Sequence, residues 1–339
     1  MPTPRIFLML LLLMGACTRA GASPLFDDQA ALEVELVGPI RSLLRNKADR
    51  QEFPFVLRVG GRELSVEVGL RGKSRLKHCP FPPLRLAFDR SETGPSVFEG
   101  QDELKLVTHC ENSNSGEQNL LEEYLAYRIF NLLSDFSYRV RLLRMHYIDS
   151  DGRVERDAKS RYAFVIEPTA QLADRLDTEK LKLPAVPKKK LDAEQAARVY
   201  VFQYLVGNTD WSLVASRDGG RCCHNGRLLG RDEKIFYVPY DFDQAGIVNA
   251  SYAKPHPVVR LPNVRTRRYR GYCTDPDTLR AAVRHVNLRR DEIIELVRST
   301  PGLKQRDAER TVDYLMAYFD KAANEDKLLA KFDKKCLGH

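Results

Sequence analysis

The chain has 339 residues, with 54 lysines and arginines against 46 aspartates and glutamates, and a formal charge of +8 with histidine neutral. That length supports a large buried core, as one two-lobed domain or two smaller ones. The positive charge is spread along the chain, with Lys188-Lys189-Lys190 its only tight lysine run, so nothing marks a nucleic-acid-binding module.

Residues 1–22 read as an export signal rather than part of the fold. Arg5 supplies a short positive region, and Ile6 to Gly15 is an apolar run too short to span a bilayer. Two processing sites compete. Met14-Gly15-Ala16-Cys17 has the form of a lipobox, which would leave Cys17 lipidated and the chain anchored as an outer-membrane lipoprotein in the periplasm or at the cell surface. Ala20-Gly21-Ala22 is an ordinary signal-peptidase site. Beyond Cys17, six cysteines remain at 79, 110, 222, 223, 273 and 336. An even number in an exported chain permits disulfides, with the pairing open. Zinc is the alternative, since His78, His109 and His224 each adjoin a cysteine, but no CxxC spacing supports it.

The segment from Ala30 to Leu44 is apolar-periodic and interrupted by Pro39. Phe55–Val59 and Leu64–Leu70 flank Gly60-Gly61, which reads as a hairpin. It leads into Arg71-Gly72-Lys73-Ser74-Arg75, a basic loop able to offer backbone N–H groups and cations to phosphate. Leu84–Phe88 and Leu104–Thr108 are predicted strands, the second carrying Lys105 between apolar neighbours. Ser115 and Gln118 have capping-box spacing for a helix over 117–133 that carries Glu122 and Glu123. A second hairpin spans 139–147 and 162–166.

After Glu167-Pro168 the character changes. Residues 169–176 suit a short helix and 177–190 a Lys- and Pro-rich connector. A further helix runs from Asp192 to Leu205, stopped by Gly207-Asn208. Asp210 follows in a loop beside the only tryptophan, Trp211. Ile235–Val238 reads as a buried strand that ends at Pro239 and delivers Asp241 and Asp243. In an extended segment two carboxylates two residues apart share a face and can converge on one hard cation. Arg267, Arg268 and Arg270 suit either an acidic ligand or a solvated loop, and helices are expected at 277–287, 290–298 and 306–330.

A β-rich half at 23–168 joined to an α-rich half at 169–339 is the order of a two-lobed, protein-kinase-like α+β fold. The motifs resemble the CotH family of atypical kinases. Arg71-Gly72, Ser74 and Pro83-Leu84-Arg85-Leu86 are similar to its N-terminal motif. Gly207-Asn208-Thr209-Asp210 and Tyr240-Asp241-Phe242-Asp243 are similar to its two acidic motifs. The resemblance implies an exported phosphotransferase using ATP with Mg²⁺ or Mn²⁺, acting on a hydroxyl of a protein or glycan. It implies nucleotide binding by Arg71, Lys73 and Lys105, with Lys105 oriented by Glu123. It implies Asp210 as the base and Asp241, Asn225 and Asp243 as metal ligands. The Cys222-Cys223-His224-Asn225 insertion and Lys73 depart from the family pattern. A catalytically inactive scaffold lipoprotein and a nucleotidyltransferase are the competing readings.

Overall fold

The computed structural model describes residues 24–152, 160–213 and 222–338; the signal segment and Cys17 lie outside them. Seven strands close into a barrel: β1 (Leu32–Gly38), β2 (Phe53–Val59), β3 (Arg62–Leu70), β4 (Leu84–Phe88), β5 (Glu103–Val107), β6 (Val140–Asp149) and β7 (Ser160–Ile166). Their order around the barrel is β1-β2-β3-β4-β5-β7-β6. Every neighbouring pair is antiparallel except β1 and β6, which run parallel and seal it.

This corrects the two-lobed kinase-like expectation. The class is α+β, but the β part is a closed barrel rather than the open sheet of a β-rich lobe. The element responsible is β1, which lies in the apolar-periodic segment that carried no strand assignment from sequence. Glu33 and Glu35 are more exposed while Val34 and Leu36 are buried, a period of two rather than 3.6. Placed between β2 and β6, it leaves the barrel without a free edge.

Inside the barrel lie Leu36, Leu57, Val68, Leu86, Leu104, Leu143 and Val165. On β6 and β7 the alternate residues Leu142 and Phe164 point outward into a second core with helix α3 (Asn114–Leu133). Both faces of these strands are covered at their apolar stretches, Leu142-Leu143 and Ala163-Phe164-Val165-Ile166. The same second core takes in α5 (Ala193–Leu205) and a three-stranded sheet of β8 (Glu179–Leu181), β9 (Gly226–Arg231) and β10 (Lys234–Pro239). It also receives α6 (Pro276–Leu288), α7 (Arg290–Arg298), α8 (Gln305–Ala322) and α9 (Glu325–Asp333). The expected final helix is two, because Asn324 caps a new start by accepting the Lys327 N–H.

All six cysteines pair, as Cys79–Cys110, Cys222–Cys223 and Cys273–Cys336. Their sulfurs are therefore not available to the zinc alternative. Three disulfides are compatible with an extracellular location. Among the described residues no helix is long and apolar enough to cross a membrane.

Candidate active site

Three sets of side chains meet where the barrel adjoins the second sheet. The first is organised by Arg75, on the five-residue helix α2 (Ser74–His78) that follows β3. The Cys79–Cys110 disulfide ties the end of this helix to the chain just beyond β5. Arg75 is buried, and its guanidinium contacts three carboxylates: Glu123 at 2.7 Å, Asp241 at 2.9 Å and Asp243 at 3.0 Å. Burial opposes the arginine's charge, but Asp243 and Glu123 outweigh it and hold Arg75 more firmly protonated than usual.

One guanidinium cannot neutralise three acids. Glu123, pushed up by burial and then by Asp243 and Asp241 against the pull of Arg75, titrates at about 7. Asp243 is likewise raised by burial, with Asp241 and Asp210 adding repulsion against the pull of Arg75. The cluster is therefore short of positive charge.

Asp241 and Asp243 converge, but by a turn and not by the extended geometry expected. Asp241 sits at φ +65°, in the left-handed region, with its N–H donating to Tyr127 Oη at 2.8 Å. That conformation costs a non-glycine residue on the order of 1–3 kcal/mol and collects at functional sites. The two acids are not equivalent. The Asp241 side chain is 42% exposed and that of Asp243 only 7%. Asp241 is the one with oxygen to offer a ligand, while Asp243 is committed to Arg75.

The second set is cationic. Lys105 on β5, Arg71 just after β3 and Arg227 on β9 lie close together, the first and last both at the Tyr240 ring. Burial first, and then Arg71 and Arg227, lower Lys105 to about 8. Arg71 is lowered by burial and by Arg75, with Asp241 pulling the other way. Tyr240 forms the floor. Arg227 lies 4.7 Å over its ring and donates to its hydroxyl at 2.8 Å, and Lys105 stands 5.6 Å from the ring centre.

Lys105 makes no salt bridge among the described residues, and Glu123 pairs with Arg75 instead. That corrects the expected Lys105–Glu123 pair. Glu122, the other helix acid, is buried against Arg310 and Thr311 of α8 and serves to dock that helix. Lys73, expected beside the nucleotide, is solvent-exposed at the start of α2.

The third set is the loop after α5. Gly207 takes φ +67° and Asn208 follows, its Oδ1 accepting the Asp210 N–H at 2.8 Å. Trp211 Nε1 donates to the Asn208 carbonyl at 3.2 Å. The Asp210 carboxylate then receives His224 Nε2 at 2.8 Å and Asn225 Nδ2 at 3.0 Å. Burial raises Asp210, but the His224 hydrogen bond, the His224 charge and His256 outweigh it and hold the group below its usual value. His224 is raised in return by the same bond, against burial.

Asn225, expected as a metal ligand, gives its amide nitrogen to the Asp210 backbone carbonyl at 2.7 Å as well as to the carboxylate. Its Oδ1 accepts no hydrogen bond among the described residues. The Asp210 charge lies near enough to help raise Asp243, so base loop and acidic cluster form one site.

Two members, Arg75 and Arg227, carried no assignment from sequence. Arg75 closes the RGKSR loop and Arg227 lies two residues after Asn225. Arginines next to motif residues were the available signal. Among the described residues no three His, Cys, Asp or Glu side chains gather around a common metal position. Mg²⁺ is commonly held by one or two carboxylates with phosphate oxygens completing its shell, and Asp241 beside the cation-poor cluster fits that mode. The chain matches no protein-family model. No curated protein matches it either.

Proposed function

We propose that the protein is an exported, ATP- and Mg²⁺-dependent phosphotransferase acting on a hydroxyl acceptor, a function shared with the CotH-like kinases whose motifs it resembles. The observation that carries this reading is the pairing of two opposite charge deficits in one site. Lys105 is lowered to about 8 by burial and then by the neighbouring charges of Arg71 and Arg227. Immediately beside them three carboxylates share one guanidinium. A polyphosphate relieves the first deficit and a divalent cation the second.

Phosphoryl transfer asks little covalent chemistry of the protein; it asks for charge, position and an oriented acceptor. Lys105 and Arg71 would bind the phosphates, and Asp241, with Asn225, would hold the metal. When bound, Mg²⁺ neutralises the phosphate charge. Asp210 lies alongside with each oxygen accepting one hydrogen bond, which leaves a second lone pair on each. Asp210 orients the acceptor hydroxyl and takes its proton. The hydroxyl oxygen bonds to the γ-phosphorus, and the bond to the bridging oxygen breaks with its electron pair leaving on ADP. A depressed pKa weakens Asp210 as a base, but a loose transition state rewards orientation more than basicity.

The test is thermal unfolding with and without MgATP. A nucleotide bound only by the native state stabilises it by about 2.7 kcal/mol at one hundred times Kd. Lys105→Ala is expected to abolish that shift. Affinity of the unmodified protein is also expected to fall as pH rises through about 8, where Lys105 loses its proton. No stabilisation by MgATP at millimolar concentration would remove this function. Calorimetry separates the two acids. Asp241→Asn is expected to abolish Mg²⁺-dependent ATP binding while leaving the fold intact, and Asp243→Asn to weaken it less because that side chain faces Arg75. Equal effects would end the assignment of Asp241 as the metal ligand.

For localisation we propose a lipoprotein of the outer membrane or cell surface, anchored at Cys17. Cys17→Ser is expected to release the protein in soluble form or leave it unprocessed, read by membrane fractionation. Unchanged membrane association and trimming would assign cleavage after Ala22 instead.

A further inference from the structure

Between Asp243 and Asp275 the chain contains no aspartate or glutamate at all. Residues 244–274 carry Lys254, Arg260, Arg265, Arg267, Arg268 and Arg270. This segment is fixed to the base loop at several points. Gly246 and Ile247 donate their N–H groups to the carbonyls of Gly207 and Val206 at 3.1 and 3.0 Å. The His256 N–H donates to Thr209 Oγ1 at 3.1 Å, and Arg270 donates to the Thr209 carbonyl. Thr209 precedes Asp210 directly, so a cation-rich segment is bolted against the residue assigned to the acceptor.

Three of its cations have structural employment. Arg267 donates to the carbonyls of Leu205 and Tyr314, Arg270 holds Thr209, and Arg265 lies 4.5 Å over the Tyr314 ring. Even these find no carboxylate within salt-bridge distance among the described residues. Among the described residues Lys254, Arg260 and Arg268 have neither salt bridge nor hydrogen bond from their side chains, and the first two are exposed. Elsewhere the chain pairs its surface arginines freely, as in Arg280 and Arg284 with Glu325. A stretch that excludes acids and leaves its cations unpaired beside a site presents a positive field there, and such fields raise the local concentration of anionic substrates.

We propose that residues 244–274 form the acceptor-docking surface and select an acidic polypeptide, one whose reacting hydroxyl is flanked by carboxylates. Val258, 51% exposed between Lys254 and Arg260, offers an aliphatic contact suited to a peptide side chain. Three disulfides are compatible with an extracellular location, where an acidic protein is a commoner anionic partner than nucleic acid. What happens to the docked hydroxyl rests on the phosphotransferase function proposed above; the docking itself does not.

The experiment is fluorescence anisotropy on the full exported chain with a labelled serine peptide flanked by glutamates. The comparison probes are the same peptide flanked by lysines, an oligogalacturonate and an oligonucleotide of equal charge. The acidic peptide is expected to bind at least about tenfold more tightly than the lysine peptide, and to weaken as salt rises toward ~1 M, where surface charges are screened. The triple variant Lys254→Gln, Arg260→Gln, Arg268→Gln is expected to lose most of that preference, and the corresponding triple glutamate variant to reverse it. Circular dichroism establishes that both are folded.

Equal binding of the two peptides, or tighter binding of the oligogalacturonate or the oligonucleotide, overturns the proposal. The two functional claims separate cleanly. Capture of the acidic peptide without phosphate transfer from MgATP leaves the docking surface standing and removes the phosphotransferase. Transfer at equal efficiency to the lysine peptide does the reverse.

Discussion

Arg75→Leu is expected to destabilise the protein by about 3–5 kcal/mol, the usual cost of removing one partner from a buried charge cluster. Most of that cost is not the lost attraction but the carboxylates left behind. Glu123 and Asp243 are both buried, and each contacts the guanidinium at 3.0 Å or less. The loss has a definite pH dependence. Glu123 titrates at about 7 in the fold against an ordinary value of 4.5, so between those values the folded state holds the extra proton. Its contribution to stability is present below that window and lost as pH rises through it. Taking away Arg75 removes the cation that favours the ionised form, which pushes Glu123 and Asp243 higher still. The variant's deficit should therefore be larger at pH 8 than at pH 5, where Glu123 is neutral. Urea unfolding at the two values measures it. An equal deficit would mean that Arg75 contributes packing rather than charge. Arg75→Lys should recover only part of the loss, since an ammonium cannot reproduce the fork that serves three acids.

Features set by neighbours in sequence were legible from the sequence. The α5 start is one, with Asp192 accepting the Gln195 N–H at 2.9 Å as a capping residue should. The Gly60-Gly61 hairpin and β4 are others. Even local chemistry misled by two residues at α3, where Ser113 and not Ser115 is the cap, its hydroxyl accepting the Gly116 N–H at 3.0 Å. Only Ser115 has the capping-box glutamine three residues on, and it is the turn from Glu111 that makes Ser113 the cap instead. Barrel closure was of another kind. It depends on β1 pairing with β6 across more than a hundred residues, Leu32 opposite Leu143. No local pattern encodes that partner, and Pro39 interrupted the apolar periodicity of the segment.

The site was legible in part of its membership, without Arg75 and Arg227 and with Lys73 in excess, and illegible in its pairings. Asp210, Asp241, Asp243, Lys105, Arg71, Glu123 and Asn225 do share one neighbourhood. Which cation answers which acid depends on depth: Arg75 on its short helix reaches the buried Glu123, whereas Lys105 faces Tyr240 and the other cations. Spacing along a chain carries no information about depth. The docking segment shows the converse. Its lack of acids is visible in sequence, but its attachment to Thr209 is visible only in the fold.

Asp210→Asn is expected to lower turnover by about 10²–10⁴, the range for removing a general base, with ATP affinity nearly unchanged. The geometry around it should survive. Asn208 holds residue 210 through its backbone N–H, and Asn225 through its backbone carbonyl at 2.7 Å, and neither bond uses the side chain. The substitution removes charge and basicity while keeping size, so a loss confined to kcat is the mark of an interaction made in the transition state. Because His224 and His256 outweigh burial and keep Asp210 below the ordinary carboxylate range, the base stays ionised throughout neutral pH. Turnover of the unmodified protein should therefore show no Asp210-linked fall until pH drops beneath that range. Saturation curves in ATP at fixed acidic serine peptide, run for both proteins, provide the comparison. Full turnover in the variant would remove Asp210 from the chemistry. A matching fall in nucleotide affinity would instead place its carboxylate on the phosphates or their metal, and the acceptor would need another base.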